Sequence, residues 1–296
     1  MEIEGPEYEI LYSFGSNWEI SDLGFVAACN DYADRMGMDC ESLSHAVTFA
    51  IDAYEMGKLD PGFELKYGDQ ECMWKLMKMV PTRTGIGDLL AEDLRTMEKR
   101  LGMEGHAMQV KNLGFGGYDP RVMKGTGLSF MVNARGSCYQ KDLMIVPDLF
   151  DLANCGEYDD ETYDQFIERQ DIFTILDCFM LCKFVQDPLE DFGDIAEILE
   201  PLTGERYDEE ELLEISRRIN SIQKLWNVHE GLGKKDDFLP KRCYEEPIPD
   251  GPAEGFVSDR EQDERWLDMY YEEMGWDKDG RPDEEDLENF LEGLND

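Results

Sequence analysis

Apolar residues recur at three- and four-residue steps along most of the chain, which predicts a mainly helical protein. One such stripe runs from Leu23 to Ala33, behind the start signal Ser21–Asp22 and ahead of Gly37. Alternating strand patterns are nearly absent, and Leu128–Val132 is the best candidate for a strand. Further helices are predicted over Leu43–Tyr54, Leu90–Leu101, Leu212–Ile222 and Trp266–Met274. The pattern as a whole predicts an all-α fold.

A glycine-rich stretch from Gly114 to Gly136 interrupts this helical pattern and predicts a domain boundary near its start. We therefore expect a first helical domain over residues 1–113 and a second over residues 114–296. After Pro240 the sequence becomes loop-like, and the region from Tyr244 onward is strongly acidic. That region is typical of a solvated, acidic C-terminal tail.

The charge balance restricts the partners that the chain can have. Its 296 residues include 68 Asp and Glu against 28 Lys and Arg, a formal net charge of -40 that repels nucleic acid and anionic lipid alike. The sequence has no apolar run of the roughly 20 residues that a membrane helix needs. It also begins without the features of a signal peptide, so we expect a cytoplasmic location. The eight cysteines include no Cys-x-x-Cys pair and predict no disulfide framework.

Two short motifs share one spacing: Asp34 to Asp39 and Asp177 to Cys182. In each, Asp is followed three residues later by Gly or Met, then by an apolar residue and by Asp or Cys. A carboxylate buried at a helix end needs hydrogen-bond donors, and the N–H edge of a pterin ring can donate to one carboxylate twice. A thiolate five residues on can ligate a metal cluster. The sequence predicts that Asp34 and Asp177 are buried around a shared cofactor; helix capping is the alternative explanation.

Several segments, in order along the chain, carry a resemblance to a known family. They are Gly5–Glu9 with Phe14–Asn17, Asp34–Asp39, Tyr118–Arg121 with Gly125–Leu128, Arg135–Cys138, Leu181–Phe184, and Asn227–Gly231 with Lys235–Pro240. Through them the chain resembles the C-terminal half of the tungsten-containing aldehyde:ferredoxin oxidoreductase family over essentially its whole length. The resemblance implies two multihelical domains that would pack on an N-terminal β domain, and we expect that domain to be missing from this chain.

The resemblance also implies roles for individual residues. Tungsten bis-pterin (bis-molybdopterin) contacts fall on Asp34, Gly37, Asp39, Asp177 and Leu181. Cys182 would be the fourth ligand of a Fe4S4 cluster, and Glu9 would be an active-site carboxylate near the metal. Tyr139 occupies the position at which the family has a histidine that donates or accepts a proton. The implied reaction is the oxidation of an aldehyde to an acid, with electrons passing singly through the cluster to ferredoxin. Molybdenum uses the same pterin and stays open as the metal.

The sequence departs from the family pattern at three points. Met180 stands where the second motif normally has Gly, Tyr139 replaces a histidine, and the cysteine run for the other three cluster ligands is absent. We therefore expect a partner polypeptide that carries the β domain and those three cysteines. The alternative is a non-catalytic helical interaction or assembly protein that descended from this family.

Overall fold

The computed structural model describes residues 5–151, 154–183, 191–285 and 287. Within this part of the chain the secondary structure is almost wholly helical, which confirms the predicted all-α class. Phe184 lies outside the described residues, as do residues 286 and 288–296 at the end of the predicted acidic tail. The helices are α1 Tyr8–Phe14, α2 Leu23–Met36, α3 Cys40–Glu55, α4 Gln70–Met79, α5 Gly87–Leu90, α6 Leu94–Leu101, α7 Lys124–Val132, α8 Ile145–Phe150, α9 Asp160–Cys178, α10 Phe192–Thr203, α11 Glu209–His229, α12 Lys241–Glu245 and α13 Arg260–Glu273. The described helices include none that is both long and apolar enough to cross a membrane.

The chain divides into two compact units, each described here by itself. Unit 1 consists of Met1–Tyr118 with Pro240–Glu245, and unit 2 of Asp119–Leu239 with Glu246–Asp296. The division therefore falls five residues beyond the predicted 113/114 boundary, and a short later segment returns to unit 1.

A small hairpin explains why unit 1 extends past residue 113. Strands β1 (Gln109–Val110) and β2 (Leu113–Gly114) pair antiparallel, and the following loop packs on unit 1. The Nε2–H of the buried His45 donates to the carbonyl oxygen of Phe115 at 2.6 Å. A side chain at Gly114 would collide with the His45 ring, so only glycine fits there.

Helix α3 is the centre of unit 1, and most of its positions are buried. Its start is set by Asp39, whose side chain accepts a hydrogen bond from the backbone N–H of Ser42 at 2.6 Å. Asp22 caps α2 in the same way, as its sequence signal predicts. The predicted helix Leu90–Leu101 is interrupted instead, because Asp93 caps a new helix, α6.

Unit 2 is built on α7, α9 and α11, which pack together. The acidic first turn predicted for α11 forms a capping box, in which Asp208 and Glu211 satisfy each other's backbone N–H groups. The prediction of a strand at Leu128–Val132 is wrong: these residues end α7. Every residue of α7 is buried, and a helix that is buried all round shows no amphipathic stripe by which the sequence could reveal it.

Two buried carboxylates of unit 2 accept hydrogen bonds from residues of α7. Asp148 accepts hydrogen bonds from the backbone N–H and the hydroxyl of Thr126, at 2.8 and 2.7 Å. Asp142 accepts one from the Ser129 hydroxyl at 2.6 Å and one from the Met144 backbone N–H at 2.9 Å. Because burial outweighs these bonds, it raises the pKa of Asp142 and of Asp148 to about 6.

These raised pKa values predict that the stability of unit 2 depends on pH. A carboxyl group whose pKa is higher in the folded than in the unfolded chain binds protons more tightly when folded. The free energy of unfolding should therefore fall as the pH rises from about 4 through about 6. We expect a higher melting temperature at pH 5 than at pH 7.5 by scanning calorimetry. Asp142→Asn, which cannot ionise, should show a smaller change; an equal change would contradict this origin.

Candidate functional site

The first motif forms a tight corner between α2 and α3. Gly37 follows the last residue of α2 with φ +67° and ψ +34°, the left-handed conformation that favours glycine. The corner is closed by two backbone hydrogen bonds, from Gly37 N–H to the Asp34 oxygen at 3.2 Å and from Met38 N–H to the Ala33 oxygen at 2.9 Å. Asp34 therefore lies in the last turn of one helix, and Asp39 caps the next.

The prediction that the acidic side chains of these motifs are buried is wrong for the chain itself. Asp34, Asp39 and Asp177 are all exposed. Carboxylates at helix ends on a surface are solvated by water, so no enclosed partner is needed to stabilise them. Asp39 also serves as a helix cap, the alternative explanation for this motif. The predicted pterin contacts of these residues and of Gly37 stay predictions.

The second motif repeats the corner at the end of α9. Met180 has φ +57°, close to that of Gly37, and its N–H donates to the Asp177 oxygen at 3.1 Å. The Met180 side chain is 91% exposed. A methionine thus adopts the backbone conformation that glycine has in the first motif, and its side chain extends into solvent.

Met180→Gly should raise the free energy of unfolding by about 1 kcal/mol, because a left-handed conformation strains residues with a Cβ atom but not glycine. Urea denaturation would measure the change. Phe179→Gly is the matched control: the preceding residue has φ -81°, so glycine there should destabilise the chain. A loss of stability in Met180→Gly would contradict the expectation.

Two lysines hold the Asp177 carboxylate. Lys183 Nζ lies 2.5 Å from Oδ1 and Lys141 Nζ lies 3.1 Å from Oδ2. Partial burial alone would raise the pKa of Asp177, but the hydrogen bonds and charges of Lys183 and Lys141 outweigh it and lower the pKa. Asp177 is therefore a fixed carboxylate anion, and these lysines are site residues that the sequence analysis missed.

Glu9 has a carboxylate oxygen that accepts no hydrogen bond from the described residues. It lies in the first turn of α1, and its Oε2 accepts only a long hydrogen bond, 3.4 Å, from the Gly117 N–H. Its Oε1 is buried and has no hydrogen-bond partner. Tyr8 stacks on Tyr118 beside it, with ring centroids 5.6 Å apart. A buried, unpaired carboxylate oxygen is costly, which fits an active-site carboxylate that receives a donor from a bound group.

The remaining predicted residues lie in unit 2. Tyr139 is half-buried and begins a 3₁₀ turn that ends at Lys141, so this turn carries one of the lysines that bind Asp177. Leu181 and the Cys182 thiol are exposed. Among the described residues, no three His, Cys, Asp or Glu side chains are grouped so that they could hold a metal ion. An exposed thiol can serve as one cluster ligand where the other ligands come from elsewhere.

The comparison with known families identifies the class first. The family model described as "Aldehyde ferredoxin oxidoreductase, domains 2 & 3" matches residues 1–290. The chain belongs to the aldehyde ferredoxin oxidoreductase family.

Three individual relatives are similar to this chain along almost its whole length. The tungsten-containing aldehyde ferredoxin oxidoreductase of Pyrococcus abyssi is 34% identical across 98% of this chain, and that of Pyrococcus horikoshii 35% identical across 98%. The aliphatic sulfonate oxidoreductase, WOR-like subunit, of Pyrococcus furiosus is 29% identical across 97% of this chain. These matches cover 49%, 49% and 46% of the relatives, so the chain spans about half their length.

A solved structure has the same fold. The active site complex BamBC of benzoyl coenzyme A reductase, in complex with 1,5 dienoyl-CoA, superposes with a TM-score of 0.71. The match covers 98% of this chain and 50% of that one, at 18% identity. At this identity the likeness concerns the fold alone.

Proposed function

We propose that this chain forms the C-terminal, helical half of a cytoplasmic tungsten or molybdenum bis-pterin oxidoreductase that oxidises an aldehyde or a related substrate. The observation that carries the proposal is the repeated corner. Each unit ends a helix with an exposed Asp three residues before a left-handed position, Gly37 in one unit and Met180 in the other. Family membership over residues 1–290 supports it.

The residues present fit such a cofactor. Asp34, Asp39 and Asp177 are carboxylates that can accept the N–H groups of a pterin edge, and Gly37 and Leu181 would contact the same cofactor. The unpaired Oε1 of Glu9 is a further acceptor. Bound in this way, the metal pterin would supply two-electron oxidation chemistry.

The chain's own residues then have separable tasks. Lys141 and Lys183 keep Asp177 ionised, so that it accepts hydrogen bonds and donates none. Glu9 can accept a proton at its free oxygen. Tyr139 can donate a hydrogen bond from its phenol, but with an ordinary pKa near 10 a tyrosine is a poor proton acceptor at neutral pH. We therefore expect substrate activation in this protein to differ from the histidine-based activation that the family resemblance implies.

The proposal includes a partner polypeptide that completes the enzyme. Cys182 supplies one exposed thiolate ligand, whereas a Fe4S4 cluster takes four. The partner would carry the β domain and the other three cysteines, and ferredoxin would accept the electrons. The Pyrococcus furiosus relative is itself named a subunit, which supports a multi-chain enzyme.

Anaerobic purification of the chain from its native source tests the proposal. Co-purifying polypeptides would be identified by mass spectrometry, and tungsten, molybdenum and iron would be measured in the same fractions. A partner with three closely spaced cysteines, together with tungsten or molybdenum and iron, is the expected result. A metal-free chain that is stable alone would contradict it and favour the non-catalytic interaction protein, a reading that the lysine-paired Asp177 also permits.

A further inference from the structure

Two unpaired polar atoms lie on one face of α1. Glu9 and Ser13 are one helical turn apart, so their side chains lie on the same side of the helix, and the Cβ atom of Ser13 is tilted back towards Glu9. Oε1 of Glu9 and Oγ of Ser13 are both shielded from solvent, and neither has a hydrogen-bond partner among the described residues. Ser13 is 0% exposed. Because each unpaired buried oxygen costs free energy, a group that bonds to both would be stabilising.

The polar groups around this face are already engaged. Helix α3 packs against α1, and its Ser44 hydroxyl donates to the carbonyl oxygen of Ser13 at 2.5 Å and accepts from Nδ2 of Asn17 at 2.8 Å. The loop after β2 supplies the Gly117 N–H, which donates to Oε2 of Glu9 and not to Oε1. The donor that Oε1 needs therefore comes from the Ser13 hydroxyl or from a small molecule between the two side chains.

The spacing of the two residues suits a single water molecule. Cβ atoms four residues apart in a helix are separated by about 5–6 Å, whereas a direct hydrogen bond requires two oxygens within about 3 Å of each other. One water with hydrogen bonds of about 2.8 Å to both oxygens spans up to about 5.6 Å. It donates one proton to the carboxylate, and it donates to or accepts from the hydroxyl. Buried waters in proteins bond to polar groups that would otherwise be unpaired.

We propose that Ser13 is a positioning residue for Glu9, and that one buried water molecule joins its hydroxyl to Oε1 of the carboxylate. With the Gly117 N–H at Oε2 and the water at Oε1, both oxygens of Glu9 are held by unit 1. This arrangement needs no bound cofactor. One consequence rests on the proposed function: the water is then the route by which Glu9 takes up or releases a proton at Oε1.

A crystal structure of the full chain, without metal or cofactor, tests the water bridge. It should show a water about 2.8 Å from both Oε1 of Glu9 and Oγ of Ser13. In Ser13→Ala the water should be lost, and the Glu9 carboxylate should change its orientation relative to the Gly117 N–H. Because the chain carries no metal in this experiment, a failure of the oxidoreductase proposal would leave the result unchanged.

A double-mutant cycle on the same chain tests the coupling of the two side chains. Ser13→Ala, Glu9→Ala and the double variant would be compared by urea denaturation. Ser13→Ala should lower the folding equilibrium constant about fivefold more when Glu9 is present than when it is replaced, the worth of one hydrogen bond. Ser16→Ala is the matched control. Ser16 is exposed, its hydroxyl donates to the Tyr12 carbonyl oxygen at 3.5 Å, and its effect should be the same with and without Glu9.

Two outcomes would overturn the proposal. Additive effects of Ser13→Ala and Glu9→Ala, as expected for Ser16→Ala, would show that Ser13 does not act through Glu9. A structure in which other protein groups bond to Oε1 and to the Ser13 hydroxyl would exclude the water bridge. A direct bond between the two side chains would also exclude the water.

Discussion

Lys224→Met should lower the free energy of unfolding by about 3–5 kcal/mol, the usual cost of leaving a buried charge without its partner. The Lys224 and Asp237 side chains are 3% and 0% exposed and form an ion pair in unit 2. Tyr271 also donates its hydroxyl to Asp237 at 2.6 Å. Without the lysine, the Asp237 carboxylate would keep its desolvation cost and lose most of the compensating charge. Urea denaturation would measure the effect.

A second lysine provides the matched control. Lys234 pairs with Asp268 at 2.6 Å, but these side chains are 21% and 57% exposed. Lys234→Met should therefore cost only about 0–1 kcal/mol, as is usual for surface pairs. The double variant Lys224→Met with Asp237→Leu should recover much of the loss, since neither charge is then left alone. Equal losses from the two lysine variants would contradict the assignment of Lys224 to a buried pair.

Cys182→Ser should abolish both iron retention and activity in the purified, assembled enzyme, a prediction that depends on the proposed function. A serine hydroxyl is a far weaker cluster ligand than a thiolate, because it is not ionised at neutral pH. Iron would be measured by elemental analysis, and the cluster by electron paramagnetic resonance of the reduced enzyme. The expected change is loss of the cluster signal while the polypeptides remain associated.

Cys178→Ser controls for the general effect of losing a thiol at this corner. Cys178 is also exposed, and its thiol donates to the Thr174 carbonyl oxygen at 3.5 Å. Its replacement should leave the iron content unchanged. If both variants kept iron, or if both lost it, Cys182 would not be the specific ligand. Loss of partner association without loss of iron would instead indicate a role at the subunit interface.

Much of the helical fold could be predicted because local signals and tertiary structure agree. Asp22 and Asp208 cap α2 and α11, whose starts the sequence predicts at these residues. Helix α7 could not be predicted, since burial on every side removes the alternation of apolar and polar positions. The later domain boundary depends on how the loop after β2 packs, which is a non-local contact that periodicity does not encode.

The sequence indicates that each motif ends a helix, but it does not indicate which residues surround the motif or whether its carboxylate is exposed. The spacing from Asp34 to Gly37 indicates a helix end, yet exposure of the carboxylate depends on whether other segments cover it. Lys141 is 36 residues from Asp177 in sequence, so no local pattern relates them. The left-handed conformation of Met180 is signalled only by its alignment with Gly37 in the shared motif, because methionine itself does not favour that conformation.

His45, which contacts the loop after the hairpin, makes the stability of unit 1 fall on acidification. The buried carboxylates of unit 2 have the opposite effect on the stability of that unit. Burial lowers the pKa of His45, although the hydrogen bond to Phe115 acts the other way. A lowered histidine pKa means that the unfolded chain takes up the proton first, so the stability that His45 contributes declines as the medium is acidified below about pH 6.5. Mild acid should therefore increase the difference between the melting temperatures of unit 1 and unit 2. A calorimetric transition that broadens or splits on acidification would reveal this difference.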